Sequence, residues 1–330
     1  MTNSITEDSV TIKIPSQGNS PVQSIAFYNP RMKLNRDLSM AVAKEFLKTR
    51  KQAKICEPFA ATGIRAIRYA KIKNTKVFAG DIRQSAIDLL QKNAKFNKVK
   101  IETFRGDANE LLTAQKYDLI DLDPFGTPAS FVDSALAGLK SNGMLCATAT
   151  DMMALCGVAP QAGSPMPKYL GATAIKCEFV HEVAVRLLLG LIARKSTRIM
   201  KPLVSLSTDH YIRVFVKFLK PQTSNLKPKN IGYVNYNPRT GKRSLSKTPK
   251  KGYKQAGPLW IGKLWDKPFL KKLDFEHKLL DMMIEEANGK PLFYSVRELY
   301  KGKQQPKLTE VMKKFKATRT HFKDQAVRLK

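Results

Sequence analysis

The stretch DLDPFG, residues 121–126, places an acid, a proline, an aromatic ring and a glycine directly after an apolar segment. Core packing does not explain an acid beside a ring at the carboxyl end of a strand. Asp123 can accept a hydrogen bond from the exocyclic amine of a nucleobase, and the Pro124 carbonyl can accept a second. Phe125 can stack on the base, a contact worth about 1–3 kcal/mol. Asp123 would then orient the amine for an in-line transfer reaction and take its proton.

Three other predicted strand ends carry small or acidic residues. PFAATG (58–63) would let a ligand approach the backbone, and Asp81, 24 residues after Glu57, suits the two hydroxyls of a ribose. Asp107 follows the next strand, where it could accept from an adenine amine. The chain has neither GxGxxG nor GxxxxGK[ST], which disfavours dinucleotides and P-loop ligands. S-adenosylmethionine fits this pattern; the alternative is an α/β domain with incidental acids at its strand ends.

Strand-like and helix-like segments alternate through residues 1–220. Strands are predicted at 53–56, 76–81, 100–107, 117–122 and 143–151, and helices at 85–96 and 177–195. Residues 203–219 contain two consecutive strand-like segments that meet near 208–210. The expected fold is therefore α/β: a Rossmann-like, mostly parallel, seven-stranded sheet with an antiparallel edge.

From residue 221 onward the chain is more basic, with 26 lysines and arginines against nine acids. The sequence predicts a strand at 257–265, a helix beginning at 266–268 with an apolar face through Ala287, and a capping box at 295–298. We therefore predict two domains: a catalytic domain at 1–220 and a smaller, basic α+β domain at 221–330 that binds nucleic acid. A tightly held phosphate backbone could offset the few kcal/mol needed to flip a base out of a helix.

The net charge of +31 points to a polyanionic partner, although a merely lysine-rich surface is the plainer alternative. No segment is long and apolar enough to span a bilayer, and the N-terminus does not resemble a signal peptide. The four cysteines and four histidines lack metal-ligand spacing. We expect a cytoplasmic, monomeric protein without a metal.

Several motifs together closely resemble the tRNA (guanine-26 N2)-dimethyltransferase family. They are AFYNPRMKLNRDLSM (26–40), PFAATGIRAIRYA (58–70), DLDPFGTPASFVDSA (121–135), TATDMMALCG (148–157), HEVAVRLLLG (181–190), GPLWIGKLWD (257–266) and ATRTHF (317–322). The resemblance implies a class I methyltransferase that transfers methyl groups from S-adenosylmethionine to the N2 amine of guanine 26 of tRNA, once and then again.

The resemblance also implies roles for single residues. The cofactor would be contacted by Arg36, Arg65, Asp81, Asp107 and Ala108. Asp123 would be the catalytic acceptor, with Phe27, Pro124 and Phe125 around the base. Asp37 could simply be the N-cap of the helix predicted at 38–47. Arg65 could be a surface arginine without a role at the cofactor.

One departure from the family concerns a cysteine cluster that many members carry before GPLW. Residues 231–257 contain no cysteine here, so zinc is not expected. Tyrosines 233, 236 and 253 could stack on bases or simply pack.

Two other functions remain open at this point. A DNA or protein-amide methyltransferase would place similar groups at this strand end, but usually has a second proline where Phe125 stands. A catalytically inactive tRNA-binding protein is the other alternative. It has no reason to retain all three of Asp81, Asp107 and Asp123.

Overall fold

The computed structural model describes residues 2–15, 26–158, 167–208, 210–219 and 230–330. The strands are β1 (Thr2–Glu7), β2 (Val10–Pro15), β3 (Ala53–Glu57), β4 (Thr75–Asp81), β5 (Ile101–Arg105), β6 (Tyr117–Leu122), β7 (Leu139–Ala149), β8 (Met200–Thr208), β9 (Tyr211–Phe218), β10 (Ile231–Tyr236), β11 (Arg243–Ser246), β12 (Lys254–Trp260), β13 (Tyr294–Ser295), β14 (Ala317–Arg319) and β15 (Ala326–Leu329).

The α-helices are α1 (Lys33–Leu47), α2 (Ile64–Ala70), α3 (Gln84–Phe96), α4 (Ala108–Thr113), α5 (Val132–Gly138), α6 (Met152–Leu155), α7 (Val180–Lys195), α8 (Lys267–Leu270), α9 (Lys278–Glu286), α10 (Val296–Leu299) and α11 (Leu308–Lys314). Short 3-10 turns lie at Pro30–Met32, Ala129–Phe131 and Pro167–Tyr169.

The main sheet has seven strands in the order β5-β4-β3-β6-β7-β9-β8. Strand β3 is parallel to both neighbours, pairing Ile55 with Val77 of β4 and with Leu119 of β6. β5 and β7 continue the parallel arrangement, whereas β8 and β9 are antiparallel to each other. The predicted Rossmann-like sheet with an antiparallel edge is therefore confirmed. The turn predicted at 208–210 includes Asp209, which lies outside the described residues.

The apolar content of the sequence explains which elements lie inside. Every residue of β6 is buried, as expected for a central parallel strand covered on both faces. Helix α7 is buried over most of its circumference, including its leucine run. The remaining strands form a β1-β2 hairpin and two three-stranded sheets, β11-β10-β12 and β13-β15-β14. These two small sheets, with helices α8 to α11, make up the additional C-terminal part of the fold.

The prediction of one continuous helix from residue 266 through Ala287 is wrong. The chain forms the short α8 and then, after an interruption, α9. His277 begins α9, because its Nδ1 accepts a hydrogen bond from the Leu279 amide at 3.1 Å. The apolar spacing continued across the interruption, which concealed it.

The strand predicted at 257–265 extends only to Trp260. The Trp260 indole N–H donates to the Lys263 carbonyl at 2.9 Å, which closes a turn. A side chain at position 262 would come within 2.7 Å of the Trp260 ring, so glycine is needed there.

Three helix caps are predicted from the sequence, at Asp37, Asp266 and Ser295. Asp266 stands at the N-cap position of α8, but its side chain makes no capping hydrogen bond within the described residues. Asp37 is not an N-cap, since α1 begins one turn earlier at Lys33; it forms an ion pair with Arg68 instead. Ser295 does cap α10, accepting from the Glu298 amide at 3.2 Å.

The contacts of the chain divide it into two compact units. Unit 1 comprises residues 1–124, 131–147 and 273–275, and unit 2 comprises 125–130, 148–272 and 276–330. The boundary predicted at residue 220, between a catalytic domain and a nucleic-acid-binding domain, stays a prediction.

Candidate active site

The turn between β3 and α2 is held close to the sheet. Ala60 donates its amide to the Gly80 carbonyl at 2.8 Å, and Ala61 and Gly63 both have positive φ, 46° and 82°. A Cβ on Gly63 would lie 2.3 Å from Leu90 of α3. Glycine is therefore required by both backbone angle and space. The turn is compact, and its residues 60–63 carry only small side chains.

Asp81 and Asp107 both lie at the carboxyl ends of their strands, as predicted. The half-buried Asp81 carboxylate accepts from the Ala61 amide at 3.2 Å and the Arg83 amide at 3.0 Å, so it joins two loops. The exposed Asp107 caps α4 by accepting from the Asn109 amide at 2.7 Å. Ala108, the first residue of α4, is buried. Each carboxylate has lone pairs left over from these bonds for a ligand.

Two further residues at this edge were missed by sequence reasoning. Ile82 follows Asp81 directly, and 71% of its surface is exposed, which is unusual for isoleucine. Asn109 has a buried side-chain oxygen without a hydrogen-bond partner among the described residues. The only sequence signal was an apolar residue following an acid at a strand end.

Arg65 lies buried at the centre of a group of acceptors, which excludes the surface role. Its guanidinium donates to Asp121 at 3.3 Å and hydrogen-bonds Asp123, and its Nε lies 3.5 Å from Glu57. Two neutral acceptors on α1, Asn35 and Ser39, each lie 3.0 Å from it. We call Arg65, Glu57, Asp121 and Asp123 the Arg65 cluster.

The Arg65 cluster contains three carboxylates and one guanidinium. Burial raises the pKa of Glu57 well above its usual value, and the charge of Arg65 opposes this only in part. Glu57 Oε2 is buried and has no hydrogen-bond partner within the described ranges. The Tyr69 hydroxyl donates to Asp121 at 2.6 Å. The cluster therefore has an excess of acid, which a cationic ligand would balance.

Arg36 belongs to a different buried group. It donates to both carboxylate oxygens of Glu7, from its Nε at 2.8 Å, and to the Asn29 carbonyl at 3.2 Å. Burial alone would raise the pKa of Glu7, but its bonds to Arg36 lower it. Arg36 thereby ties the start of α1 to Glu7 and to Asn29, two residues after the half-buried Phe27.

The chain leaves the Arg65 cluster through a rigid turn. Asp123 is partly exposed, Pro124 is buried, and 64% of the Phe125 surface is exposed. Gly126 has a φ of 73° and exchanges hydrogen bonds with Thr150, at 2.9 Å to the hydroxyl and 2.8 Å from the Thr150 amide.

Thr127, Tyr169 and Asp151 extend this support. The Tyr169 hydroxyl lies 3.1 Å from the Thr127 hydroxyl and 3.0 Å from Asp151. Burial raises the pKa of Asp151, although Tyr169 opposes the shift. The exposed Phe125 ring therefore follows a backbone fixed from several sides.

Within the described residues, no group of three or more His, Cys, Asp or Glu side chains is placed to hold a metal ion. Among the same residues, no helix has the length and apolar character needed to cross a membrane.

Comparison with known proteins confirms the family predicted from the motifs. The model of the family described as N2,N2-dimethylguanosine tRNA methyltransferase matches residues 5–330. A tRNA (guanine(26)-N(2))-dimethyltransferase from Methanosphaera stadtmanae is 34% identical, over 98% of this chain and 92% of that protein. One from Pyrococcus furiosus is 36% identical, over 91% and 88%.

The structural comparison confirms the class I methyltransferase fold. A solved structure of Trm1 from Pyrococcus horikoshii in complex with S-adenosyl-L-methionine matches with a TM-score of 0.87 and 31% identity. The match covers 98% of this chain and 96% of that one. With the sequence matches, it shows that this chain belongs to the N2,N2-dimethylguanosine tRNA methyltransferase family.

Proposed function

We propose that this chain methylates the exocyclic N2 amine of guanine 26 of tRNA, first once and then again, using S-adenosyl-L-methionine. The proposal rests on the Arg65 cluster, in which carboxylates outnumber the guanidinium. Its partly exposed acid, Asp123, is followed by Pro124 and then by the exposed ring of Phe125. A methyltransferase for nucleobase amines needs both a site for a cationic cofactor and a hydrogen-bond acceptor for the amine.

The residues at the carboxyl ends of the strands fit this cofactor. The unpartnered Glu57 oxygen and the excess of acid around Arg65 suit its ammonium and sulfonium charges. Asp81 would accept from the ribose hydroxyls and Asp107 from the adenine amine, with Ala108 and the exposed Ile82 beside the ring. When bound, S-adenosyl-L-methionine supplies the methyl group on its sulfonium.

Arg65 and Arg36 would act near the cofactor chiefly by holding other groups in position. Arg65 fixes the orientation of the Asp123 carboxylate through a charged hydrogen bond. Arg36, paired with Glu7, fixes the segment that carries Phe27.

The acceptor groups for guanine follow from the turn at 123–126. Asp123 would accept a hydrogen bond from the N2 amine and the Pro124 carbonyl would accept another, which orients the nitrogen lone pair. Asp123 would then take the proton released on methylation. Phe125, and Phe27 from the N-terminal segment, would stack on the base.

The basic residues at 221–330 would bind the phosphate backbone of tRNA and so offset the cost of flipping guanine 26 out of its stack. A cytoplasmic location and a monomeric state complete the proposal.

The test measures transfer of labelled methyl groups to an unmodified tRNA transcript, followed by nucleoside analysis. The expected products are N2-methylguanosine and then N2,N2-dimethylguanosine, both absent when guanine 26 is replaced by adenosine. DNA and a protein amide substrate are run in parallel. Methylation of either, with none on tRNA, would overturn the assignment. A folded protein that binds tRNA but neither binds the cofactor nor transfers methyl groups would indicate the inactive alternative.

A further inference from the structure

We propose that a cavity in unit 2 binds one phosphate-bearing nucleotide of tRNA, as an anchor distinct from the position of the methylated guanine. The inference rests on the proposed function, because tRNA is taken as the ligand. The cavity has a volume of about 380 Å³, in the range of small-ligand pockets and enough for a single nucleotide. Its lining includes Lys201, Trp260, Lys263, Trp265, Asp266 and Lys267.

Two tryptophans supply the apolar part of the lining. Trp260 donates its indole N–H to the Lys263 carbonyl at 2.9 Å, and Trp265 donates to the Ser205 carbonyl at 2.8 Å. Both polar groups are satisfied within the protein, so the ring carbons are what remain to contact a ligand. Each tryptophan is only 5% exposed and lines the cavity, so only a small part of each ring is open to a ligand. Such a surface can contact a base through apolar atoms, although it offers no open ring for full stacking.

The segments that carry the tryptophans are held by buried ions. Arg186 donates to the carbonyls of Trp260 and Gly262, at 3.1 and 2.9 Å, and is itself held by Glu182. The guanidinium of Arg328 lies 5.1 Å from the centre of the Trp265 ring. The cavity is therefore pre-formed, which lowers the entropic cost of binding.

The charged residues of the lining favour a phosphate. Lys201 forms an ion pair with Asp266, whereas Lys263 and Lys267 make no ion pair with an acid in the part of the chain that the structure describes. Two ammonium groups beside the apolar part of the lining match one phosphate and the nucleoside attached to it. Asp266 is the one acid of the lining and is paired with Lys201, while residues 210–265, which include Trp260 and Lys263, contain no acid. The combination favours nucleic acid over an acidic peptide, which offers no base to the apolar part of the lining.

The test uses the fact that Trp260 and Trp265 are the only tryptophans in the chain. Their fluorescence therefore reports on this cavity directly. Titration with tRNA should change the tryptophan emission, after correction for absorption by the RNA, with saturation at the same concentration as binding measured by filter retention. Free guanosine monophosphate, as a separate arm, should give no change below millimolar concentration because it lacks the rest of the polyanion.

A double variant, Lys263→Ala with Lys267→Ala, is compared with a control, Lys92→Ala with Lys95→Ala, two exposed lysines of α3 that lie outside residues 221–330. The first should weaken tRNA binding by about tenfold and reduce the slope of log K against log salt by about one, since each phosphate contact contributes about 0.7–0.9. It should raise KM for tRNA and leave kcat at saturating tRNA unchanged. The control should bind tRNA within about twofold of wild type.

The outcomes separate the two proposals. If tRNA is bound and methylated while the emission stays constant and the two double variants behave alike, the cavity is not an anchor. If guanosine monophosphate changes the emission at micromolar concentration and tRNA does not, the cavity binds free nucleotides and the inference is wrong. If tRNA binds with the expected change in emission but is not methylated, the anchor stands and the proposed function fails.

Discussion

Each unit of this protein buries a cluster of charged residues, and the two clusters differ in charge balance. In unit 1 the Arg65 cluster sets one guanidinium among three carboxylates. In unit 2, Glu182 and Glu286 are matched by Arg186 and Arg328, which we call the Arg328 cluster. All four carboxylate oxygens of the Arg328 cluster accept hydrogen bonds, from Arg186, Arg328, the Leu292 amide, Thr320 and His321.

The pKa values follow this difference. Burial alone raises the pKa of any carboxyl group, because it penalises the charged form. At Glu182 the charges of Arg328 and Arg186 overcome burial and lower the pKa to about 2. At Glu57 burial prevails, and the pKa is raised well above its usual value. The Arg328 cluster, in which positive and negative charges are equal in number, supports the fold. The Arg65 cluster has more acids than bases and includes the partly exposed Asp123, so it is suited to a cationic ligand.

The largest expected effect comes from breaking the balanced cluster. Glu182→Gln leaves Arg186 and Arg328 short of a negative charge inside the protein, so the free energy of unfolding should fall by about 3–5 kcal/mol. Urea unfolding followed by circular dichroism measures it. A loss below about 1 kcal/mol would show that the Arg328 cluster is not what supports this unit.

The contribution of Glu182 to the free energy of unfolding should also depend on pH. The pKa of Glu182 lies below its unfolded value near 4.5, so its contribution is present above that pH and is lost as the pH falls toward 2. Roughly 3 kcal/mol should disappear over that range. Urea unfolding at several pH values between 5.5 and 3 compares wild type with Glu182→Gln, and the variant should lose less over this interval. Parallel curves would contradict the assignment.

The same substitution in the unbalanced cluster should have the opposite effect on stability. A raised carboxyl pKa means that the folded state loses stability as the pH rises above about 4.5. Glu57→Gln removes that cost, so stability at pH 7 should be unchanged or about 1 kcal/mol higher.

Cofactor binding gives the second readout for Glu57→Gln. Affinity for S-adenosyl-L-methionine, measured by isothermal titration calorimetry, should fall about tenfold, as expected for losing one charged hydrogen bond. A variant that is destabilised like Glu182→Gln, and binds the cofactor normally, would remove the distinction between the clusters.

The smallest expected effect concerns the neutral bonds beyond the Arg65 cluster. Thr150→Val removes the hydroxyl that accepts from the Gly126 amide, so the turn carrying Phe125 should loosen. We expect methyl transfer to slow about fivefold, in line with about 1 kcal/mol for a neutral hydrogen bond. Thr150→Ser keeps the hydroxyl and should act like wild type. Equal rates for all three proteins would show that this bond does not position the ring.

Much of the fold was predictable because its signals are local. Short apolar runs ending in acids located the parallel strands, and the order of these runs along the chain indicated the sheet. The interruption between α8 and α9 was missed because Leu273, which lies within it, keeps helical spacing with Leu280 of α9. Asp37 resembles an N-cap in sequence, but its partner is Arg68 on another helix.

The acids at the strand ends of the candidate site could be predicted from the sequence. The ion pairs that set its charge balance could not. Arg65 meets Asp123 across 58 positions, and Arg328 meets Glu182 across 146. No periodicity in the sequence pairs residues so far apart. The two clusters, and the cavity beside Trp260 and Trp265, emerge only when the chain is folded.

The role of Asp123 as the acceptor is tested most directly by the single-turnover rate of methyl transfer to tRNA by Asp123→Ala, with cofactor and tRNA both saturating. Folding is checked by circular dichroism and tRNA binding by filter retention. We expect a rate about 10²–10⁴-fold below wild type, because the carboxylate that accepts from the amine and takes its proton is gone. A rate within about fivefold of wild type would contradict the assignment of Asp123 as the acceptor, and with it the reading of the Arg65 cluster as the catalytic site.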